Sequence, residues 1–134
     1  MSELFHIKST RTTPEVYFDP KEKEVHIKGV SIPENAWDFY RPLFEWIDSN
    51  FNEGIEQLDL HFRLDYFNTV SARCIVETCQ RFIRLSKNKE HVKIFWYYEN
   101  DDIDMMESGV ELSRVLNHPF KIESYTPFGK TEQN

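Results

Sequence analysis

The sequence predicts a single α/β domain, with a mixed, mostly parallel sheet and helices packed mainly on one of its faces. After an initial pair of strands, strand-like and helix-like patterns alternate in the order ββαβαβαβ. Such alternation calls for parallel neighbours joined by right-handed crossovers. Residues 58–64 alternate between apolar and polar side chains, which is typical of a strand with one buried and one solvated face. The chain has 134 residues, of which 40% are hydrophobic, and this provides one ordinary core.

The first predicted elements are two strands around a tight turn. Residues 1–12 are polar and irregular, and we expect them to form either a flexible end or a peripheral strand. In the stretch PEVYFDPKEKEVHIKG, apolar and polar side chains alternate on both sides of residues 19–22. Pro20 presets the backbone of a type I turn, and Asp19 can accept hydrogen bonds from the turn amides. The stretch therefore predicts a hairpin.

A helix is predicted in the stretch SIPENAWDFYRPLFEWIDSNF. Ser31 and Glu34 have the spacing of a capping box, and Pro33 suits a first helical turn, where no amide hydrogen is needed. Apolar residues then recur at helical spacing: Ala36, Tyr40, Leu43, Phe44, Ile47 and Phe51. Pro42 interrupts this pattern, because a proline inside a helix removes a hydrogen bond at a cost of about 3 kcal/mol. We therefore expect a kink at Pro42 or a helix that starts late.

The remaining elements complete the alternation. Gly54 ends the first helix, and the strand EQLDLHFRL follows it. A second helix starts near Val70, the strand HVKIFWYY comes next, and a third helix has an acidic first turn and a stop signal at Asn117 and Pro119. The segment FKIESY predicts a last short strand, and residues 126–134 are expected to form a flexible tail.

Composition and net charge argue against several classes of function. The net charge of −7 disfavours binding to nucleic-acid phosphates. Since no apolar run approaches about 20 residues and no signal-peptide pattern opens the chain, we expect a cytoplasmic protein without membrane insertion. Cys74 and Cys79 lie in a helical pattern, which favours two reduced core thiols over a disulfide or a metal pair.

The stretch LDYFNTVSARCI joins the central strand to the second helix and places Asn68 and Thr69 at the helix start. The favoured interpretation is an N-cap, in which a side-chain oxygen accepts a first-turn amide and contributes about 1 kcal/mol. The alternative interpretation is that the same cap is also an anion site. The free amides of the first turn and the positive end of the helix dipole would tolerate a phosphate there. Tyr66 and Phe67 precede the cap, where they either pack inward or serve as partner anchors.

Catalytic and metal-binding patterns are weak in this sequence. The five histidines are scattered, without the paired spacing of a metal site, and the sequence contains neither a glycine-rich phosphate loop nor a nucleophile elbow. Asp59, His61 and Arg63 share a strand face and could chelate a metal, but a solvated strand face is favoured. The acidic stretch ENDDIDMMES is typical of a helix N-terminus, where the helix dipole favours acidic side chains. The aromatic run FWYY is typical of a strand that packs in the core. We therefore predict no catalytic, cofactor-binding or metal-binding residue.

Three segments carry a resemblance to a known family. GVSIPENAWDFY, LDLHFRLDYFNTVSARCI and VKIFWYYENDD, in this order and separation, resemble the SiaC family of small bacterial regulatory phosphoproteins. The resemblance runs from about Pro14 to Tyr125, and its most specific motifs are N-T-x-S at residues 68–71 and W-Y-Y at residues 96–98. It implies a fold like the STAS domains of anti-sigma-factor antagonists. Pro42 departs from the uninterrupted helix that the family leads us to expect.

The resemblance implies a phosphorylation switch in a protein that is not an enzyme. Thr69 matches the threonine that a SiaB-like serine/threonine kinase phosphorylates and a SiaA-like PP2C-type phosphatase dephosphorylates. In the family, the unphosphorylated form binds and activates a SiaD-like diguanylate cyclase, which raises cyclic di-GMP and favours biofilm formation. Asn68 and Ser71 carry over as residues that line the site, and Tyr66 and Phe67 join them as expected kinase- or partner-binding residues.

Two other function classes stay open at this stage. The domain could be a STAS-type anti-sigma-factor antagonist or a stressosome-like partner-switching module, in which the same threonine matters but no cyclase binds. A small enzyme for an acidic or nucleotide substrate would need convergent titratable groups in a pocket, and the sequence shows no clear array of them. For the switch, we expect the phosphate to block binding by its bulk and charge, without refolding.

Overall fold

Six strands and three α-helices follow one another along the chain in a computed structural model that describes residues 4–127. The strands are β1 (His6–Ile7), β2 (Glu15–Asp19), β3 (Glu24–Ser31), β4 (Leu58–Phe67), β5 (Val92–Glu99) and β6 (Phe120–Tyr125). The helices are α1 (Ala36–Asn50), α2 (Thr69–Leu85) and α3 (Ile103–Leu116), and a short 3-10 turn at Lys89–His91 precedes β5. The predicted α/β class and every predicted element are confirmed.

The structure adds one strand to the predicted order. Of the two alternatives for residues 1–12, it supports the peripheral strand, since His6–Ile7 pairs in antiparallel orientation with β2. This pairing involves only two residues, which is too short for an alternation pattern to be read. Residues 1–3 and 128–134, which include a small part of the first predicted flexible end and most of the second, lie outside the described residues.

The sheet has its strands in sequential order, β1 to β6. β1, β2 and β3 are antiparallel, and β3 to β6 are parallel, so α1, α2 and α3 are the crossover connections. The predicted β2–β3 hairpin is confirmed, since Asp19 accepts hydrogen bonds from the amides of Lys21 and Glu22, both at 3.1 Å. The parallel half places the carboxyl ends of β3, β4 and β5 at one edge of the sheet.

One face of the sheet is covered by the helices and the other is open. Alternate side chains of the central strands are buried with the apolar faces of the helices in a single cluster, which includes Ile27, Leu60, Phe62, Ile94 and Trp96. The side chains between them point to the opposite face, where the predicted set of Asp59, His61 and Arg63 is half-buried or exposed. Cys74 and Cys79 are both buried and free, as predicted.

The start of α1 differs from the prediction. The helix begins at Ala36, and Asn35 is its N-cap, whose side chain accepts from the amide of Asp38 at 3.2 Å. Ser31 is not a cap, because it is the last residue of β3 and is fully buried. The capping-box spacing of Ser31 and Glu34 was therefore misleading, and Pro33 precedes the helix.

Pro42 lies inside α1, which continues past it to Asn50. Of the two alternatives predicted for Pro42, a kink or a late start, the late start is therefore wrong. Pro42 is exposed, so the carbonyl of Asp38, which loses its helical donor, lies on the side of the helix where water can replace it. Packing of the opposite, buried face of the helix offsets the loss of this hydrogen bond. That face includes Tyr40, Leu43 and Ile47.

Gly109 allows α3 to lie directly against the core tryptophan. Trp96 is 1% exposed and donates from Nε1 to the carbonyl of Met105 at 2.9 Å. A Cβ atom at position 109 would lie only 2.7 Å from Cγ of Trp96.

We therefore expect Gly109→Ala to lower the free energy of unfolding by about 1–3 kcal/mol, although alanine is the better helix former. Urea denaturation followed by circular dichroism measures this change. Val110→Ala, at an exposed neighbouring position, is the control and should change stability by less than about 0.5 kcal/mol. Equal stability of Gly109→Ala and the wild type would contradict the close approach.

Candidate functional site

The carboxyl edge of the parallel strands gathers exposed apolar side chains. The three helices begin at this edge because each follows a strand that ends there. Trp37 lies in the first turn of α1, Tyr66 near the end of β4, Val70 in the first turn of α2, and Ile103 at the start of α3, and all four are exposed. We call these four residues together with Thr69 the carboxyl-edge surface. Open α/β sheets place their binding sites at such edges.

Thr69 is the first residue of α2, and it is exposed. Asn68 is the N-cap, since its Oδ1 accepts from the amide of Ser71 at 2.9 Å, and this confirms the predicted cap. The first amides of a helix lack partners within the helix, and its N-terminus carries a partial positive charge. A phosphate on the Thr69 hydroxyl would therefore be placed at a point of favourable electrostatic potential.

Ser71 lies beneath this helix start and is fully buried. Its hydroxyl accepts from Ser31 at 2.8 Å, and the Ser31 hydroxyl also lies 2.8 Å from the hydroxyl of Tyr40. Because Ser31 has a single hydroxyl hydrogen, the Tyr40 hydroxyl donates to it. Burial raises the pKa of Tyr40, which keeps that donor proton in place. Ser71 was expected to line the site, but the structure shows that it supports the helix start from inside.

The two aromatic residues before the cap have different surroundings. Tyr66 is 58% exposed. Phe67 is half-buried and packs edge-on against Trp96, with ring centroids 5.8 Å apart. Of the two alternatives predicted for this pair, Tyr66 fits a partner anchor and Phe67 fits packing. In the FWYY run, the prediction of core packing holds for Trp96, whereas Phe95 and Tyr97 lie on the open face.

Charged groups surround the carboxyl-edge surface. Partial burial raises the pKa of Asp65; the nearby Arg63 lowers it and the carboxylate of Asp102 raises it further. Arg73 is exposed and lies four residues after Thr69, so both project from the same side of α2. A phosphate on Thr69 would have this guanidinium as a potential partner.

The open face of the sheet brings together groups that sequence reasoning treated as scattered. His26 of β3 is paired directly with His61 of β4, and Glu24 lies two residues before His26 on the same face. Among residues 4–127, these three form the one group whose side-chain atoms could together hold a metal ion. Both histidines occupy predicted strands, but the parallel register that aligns them depends on the β3–β4 crossover and is not visible in either strand alone.

Comparison with known proteins agrees with this architecture. The sequence model described as "SiaC family regulatory phosphoprotein" matches residues 7–125. The chain belongs to the SiaC family. The STAS-like relation that the resemblance implied stays a prediction.

Several SiaC relatives match over nearly their whole length. A protein of Pseudomonas aeruginosa (strain UCBPP-PA14) is 26% identical over 125 residues, which are 93% of this chain and 98% of that protein. The crystal structure of apo-SiaC from Pseudomonas aeruginosa matches with a TM-score of 0.78 and 25% identity, over 90% of this chain and 98% of SiaC. A further match, with a TM-score of 0.80 and 24% identity over 90% and 99% of the two chains, is a crystal structure of the Pseudomonas aeruginosa diguanylate cyclase SiaD in complex with its activator SiaC.

Within residues 4–127, no helix of this SiaC-family chain has both the length and the apolar composition needed to cross a bilayer.

The N-cap makes a prediction about stability. Asn68→Ala removes the side-chain acceptor of the Ser71 amide, and we expect the free energy of unfolding to fall by about 1 kcal/mol in urea denaturation. Asn68→Ser, which keeps a capping oxygen, is the matched control and should retain most of the stability. If the alanine and serine variants unfold at the same urea concentration as the wild type, the cap does not contribute.

Proposed function

We propose that this SiaC-family protein is a non-enzymatic phosphoswitch whose unphosphorylated form binds and activates a diguanylate cyclase. A serine/threonine kinase adds the phosphate to Thr69, and a PP2C-type phosphatase removes it. The observation that carries the proposal is the position of Thr69, an exposed threonine at the start of α2, between the exposed side chains of Tyr66 and Val70 in the chain.

The family and its solved relatives support this proposal. The family description names a regulatory phosphoprotein, and a phosphoprotein needs an accessible acceptor hydroxyl. The relative in complex with SiaD is described as an activator of that cyclase. A cyclase is therefore the partner that we propose for this chain as well.

The carboxyl-edge surface has the composition expected of a docking site. Tyrosine and tryptophan are enriched among the residues that dominate binding energy, and Tyr66 and Trp37 supply one of each. When a partner covers this surface, the Thr69 hydroxyl loses its water. A hydroxyl is desolvated at low cost if it forms a hydrogen bond, whereas desolvating a phosphate dianion costs several kcal/mol, a penalty that pairing with a nearby cation offsets only in part.

This difference in desolvation explains how one modification could switch binding. Phosphorylation adds up to about two negative charges and three acceptor oxygens. A penalty of about 3 kcal/mol weakens binding more than a hundredfold, which is enough for an on/off signal. Because the helix N-terminus and Arg73 can accommodate the phosphate, the fold need not change. The phosphate then blocks the surface by its bulk and charge.

Access for the modifying enzymes follows from the same geometry. Thr69 is exposed and begins α2 close after the end of β4, so it lies at the carboxyl edge of the sheet. A kinase cleft and a phosphatase cleft can each close around such an edge. Ser71, two residues further on, has 0% exposure and does not compete as an acceptor.

The switch is tested by two substitutions at Thr69. Thr69→Ala should accept no phosphate from the cognate kinase, yet it should still bind and activate the cyclase. Thr69→Asp places a charge at the same point and should weaken cyclase binding by about tenfold or more. Phosphate incorporation, isothermal titration calorimetry and cyclic di-GMP synthesis are the measurements.

Ser124 provides the matched control for charge. It is exposed near the end of β6, at the same edge of the sheet. Ser124→Asp should bind the cyclase like the wild type if the effect is specific to Thr69. The proposal fails if Thr69→Ala is still phosphorylated, or if phosphorylation rearranges the backbone of the whole sheet in amide NMR spectra. Capture of a switch kinase bound to a sigma factor, with no cyclase, would favour the antagonist function instead.

The aromatic anchor is tested separately. Tyr66→Ala should weaken binding to the cyclase by about 2 kcal/mol, a factor of roughly 30 in Kd, because it removes a large side chain from the proposed contact. Val115→Ala is the control, since Val115 has similar exposure, 57% against 58%, but lies near the other end of α3. Equal affinity of the two variants would show that the carboxyl-edge surface is not the contact.

A further inference from the structure

A row of rings crosses the open face of the sheet, with one side chain from each neighbouring strand. Tyr17, His26, His61 and Phe95 come from β2, β3, β4 and β5, and their ring centroids are separated in turn by 4.8, 4.6 and 4.5 Å. The rings are stacked nearly parallel, with interplanar angles of 9°, 6° and 10°, so the nitrogen atoms of the two histidines lie at the ring edges, outside the stack.

We propose that Glu24, His26 and His61 form a binding site for a late first-row divalent metal ion of the Zn²⁺ type. The carboxylate of Glu24 reaches both imidazoles, since its two oxygens lie 2.8 Å from His26 Nε2 and 3.7 Å from His61 Nε2. All three ligand atoms lie within 4.8 Å of one another. Atoms that share one tetrahedral Zn²⁺ are about 3.3 Å apart, so small side-chain movements complete the set.

His61 has the features of a ligand that lacks its cation. Its Nε2 is buried and has no hydrogen-bond partner among the described residues. Its Nδ1 lies 2.8 Å from the hydroxyl of Tyr97. With Nδ1–H donating to Tyr97, the Nε2 lone pair faces the Glu24 carboxylate across a gap that a cation would fill. This outer hydrogen bond is the arrangement that orients histidines in protein metal sites.

Charges along the two strands favour a cation on one side of the histidine row. Glu24 is paired with Asp59, so a pair of carboxylates lies next to the histidines on the side away from the carboxyl edge. On the other side, Lys28 is paired with Arg63. Lys28 Nζ lies 5.4 Å from the ring centre of Tyr17, and Arg63 Cζ lies 4.5 Å from that of Tyr125. Arg63 Cζ also lies 5.5 Å from the ring centre of Tyr97, so both cations border the histidine row on the side opposite the two carboxylates.

Metal binding requires one ring to turn. The imidazoles of His26 and His61 are parallel within 6°, so their lone pairs point along separate planes. His61 is held through Tyr97, whereas His26 bonds through Nε2 to Glu24, which is itself a ligand. We therefore expect the His26 ring to rotate. It would lose part of its stacking against the neighbouring rings and gain a bond to the metal ion. A site of two histidines and one carboxylate selects Zn²⁺ and its neighbours over Mg²⁺ and Ca²⁺, which prefer oxygen ligands.

The experiment is a titration of the untagged full chain with Zn²⁺ by isothermal titration calorimetry, with Mg²⁺ in parallel. We expect one Zn²⁺ per chain and no comparable binding of Mg²⁺. His26→Gln and His61→Gln should each weaken Zn²⁺ binding at least about tenfold. Tyr97→Phe removes only the outer hydrogen bond and should also weaken binding, by about tenfold.

His6→Gln is the matched control. His6 lies on the same face at the edge of the sheet and is bonded to Glu15 at 2.8 Å, so it forms a histidine–carboxylate pair without a second histidine. This variant should bind Zn²⁺ like the wild type. Histidine ring NMR spectra of the wild type provide a test that does not depend on variant folding, since Zn²⁺ should shift His26 and His61 together. The proposal is overturned if Zn²⁺ does not saturate in large excess, if His6→Gln weakens binding as much as His26→Gln, or if only other histidines shift.

Discussion

The parallel pairing of β3 with β4 is the constraint on which both sites depend. It aligns Ser31 with Phe67, and so brings the buried end of β3 under the first turn of α2. Ser31 then reaches Ser71 although forty residues separate them in the chain. The same register places His26 beside His61 on the opposite face. One strand pair thus supports a helix start on its covered side and stacks two histidines on its open side.

The register is not uniform along the pair. It shifts between Gly29 and Val30, so that Gly29 pairs with Leu64 and Val30 with Tyr66. Gly29 has a φ of 117°, a backbone conformation that residues with a side chain rarely adopt. Such an irregularity re-aims the residues that follow it. In this protein the irregularity lies between the histidine row and the carboxyl edge. It therefore determines which residue of β4 is the last one in the sheet before Thr69.

Local signals in the sequence were sufficient to predict strands β2 to β6, the presence of the three helices, and the Asn68 cap of α2. The period-two pattern of β4 and the Asn68 cap both depend on neighbours a few residues away, and both were predicted. Ser31 was misread because its spacing to Glu34 imitates a capping box, whereas its actual partners, Tyr40 and Ser71, are brought to it by the tertiary fold. The burial of Ser71 has the same origin.

The histidine pair shows the limit of sequence reasoning most clearly. His26 and His61 are separated by α1 and its loops, and a shift of the β3–β4 register by two residues would keep both on the open face but would no longer pair them. The alternation within each strand fixes the face of its histidine but not which residues are paired. The aligned pair was therefore available only from the three-dimensional arrangement. Pro42 is the converse case: a strong local signal was overruled because packing of the opposite helix face outweighs one lost hydrogen bond.

The two proposed sites lie too far apart to influence each other through their charges. His61 precedes the end of β4 at Phe67 by six residues, which at the usual rise per residue is about 20 Å. Charges at solvent-exposed positions are largely screened beyond roughly 8 Å at physiological ionic strength. A cation on the open face would therefore leave the potential around Thr69 nearly unchanged. A metal ion held by both strands would favour the β3–β4 register that also brings Ser31 under Ser71. The β3–β4 pairing is therefore the route by which metal binding on the open face could affect the start of α2.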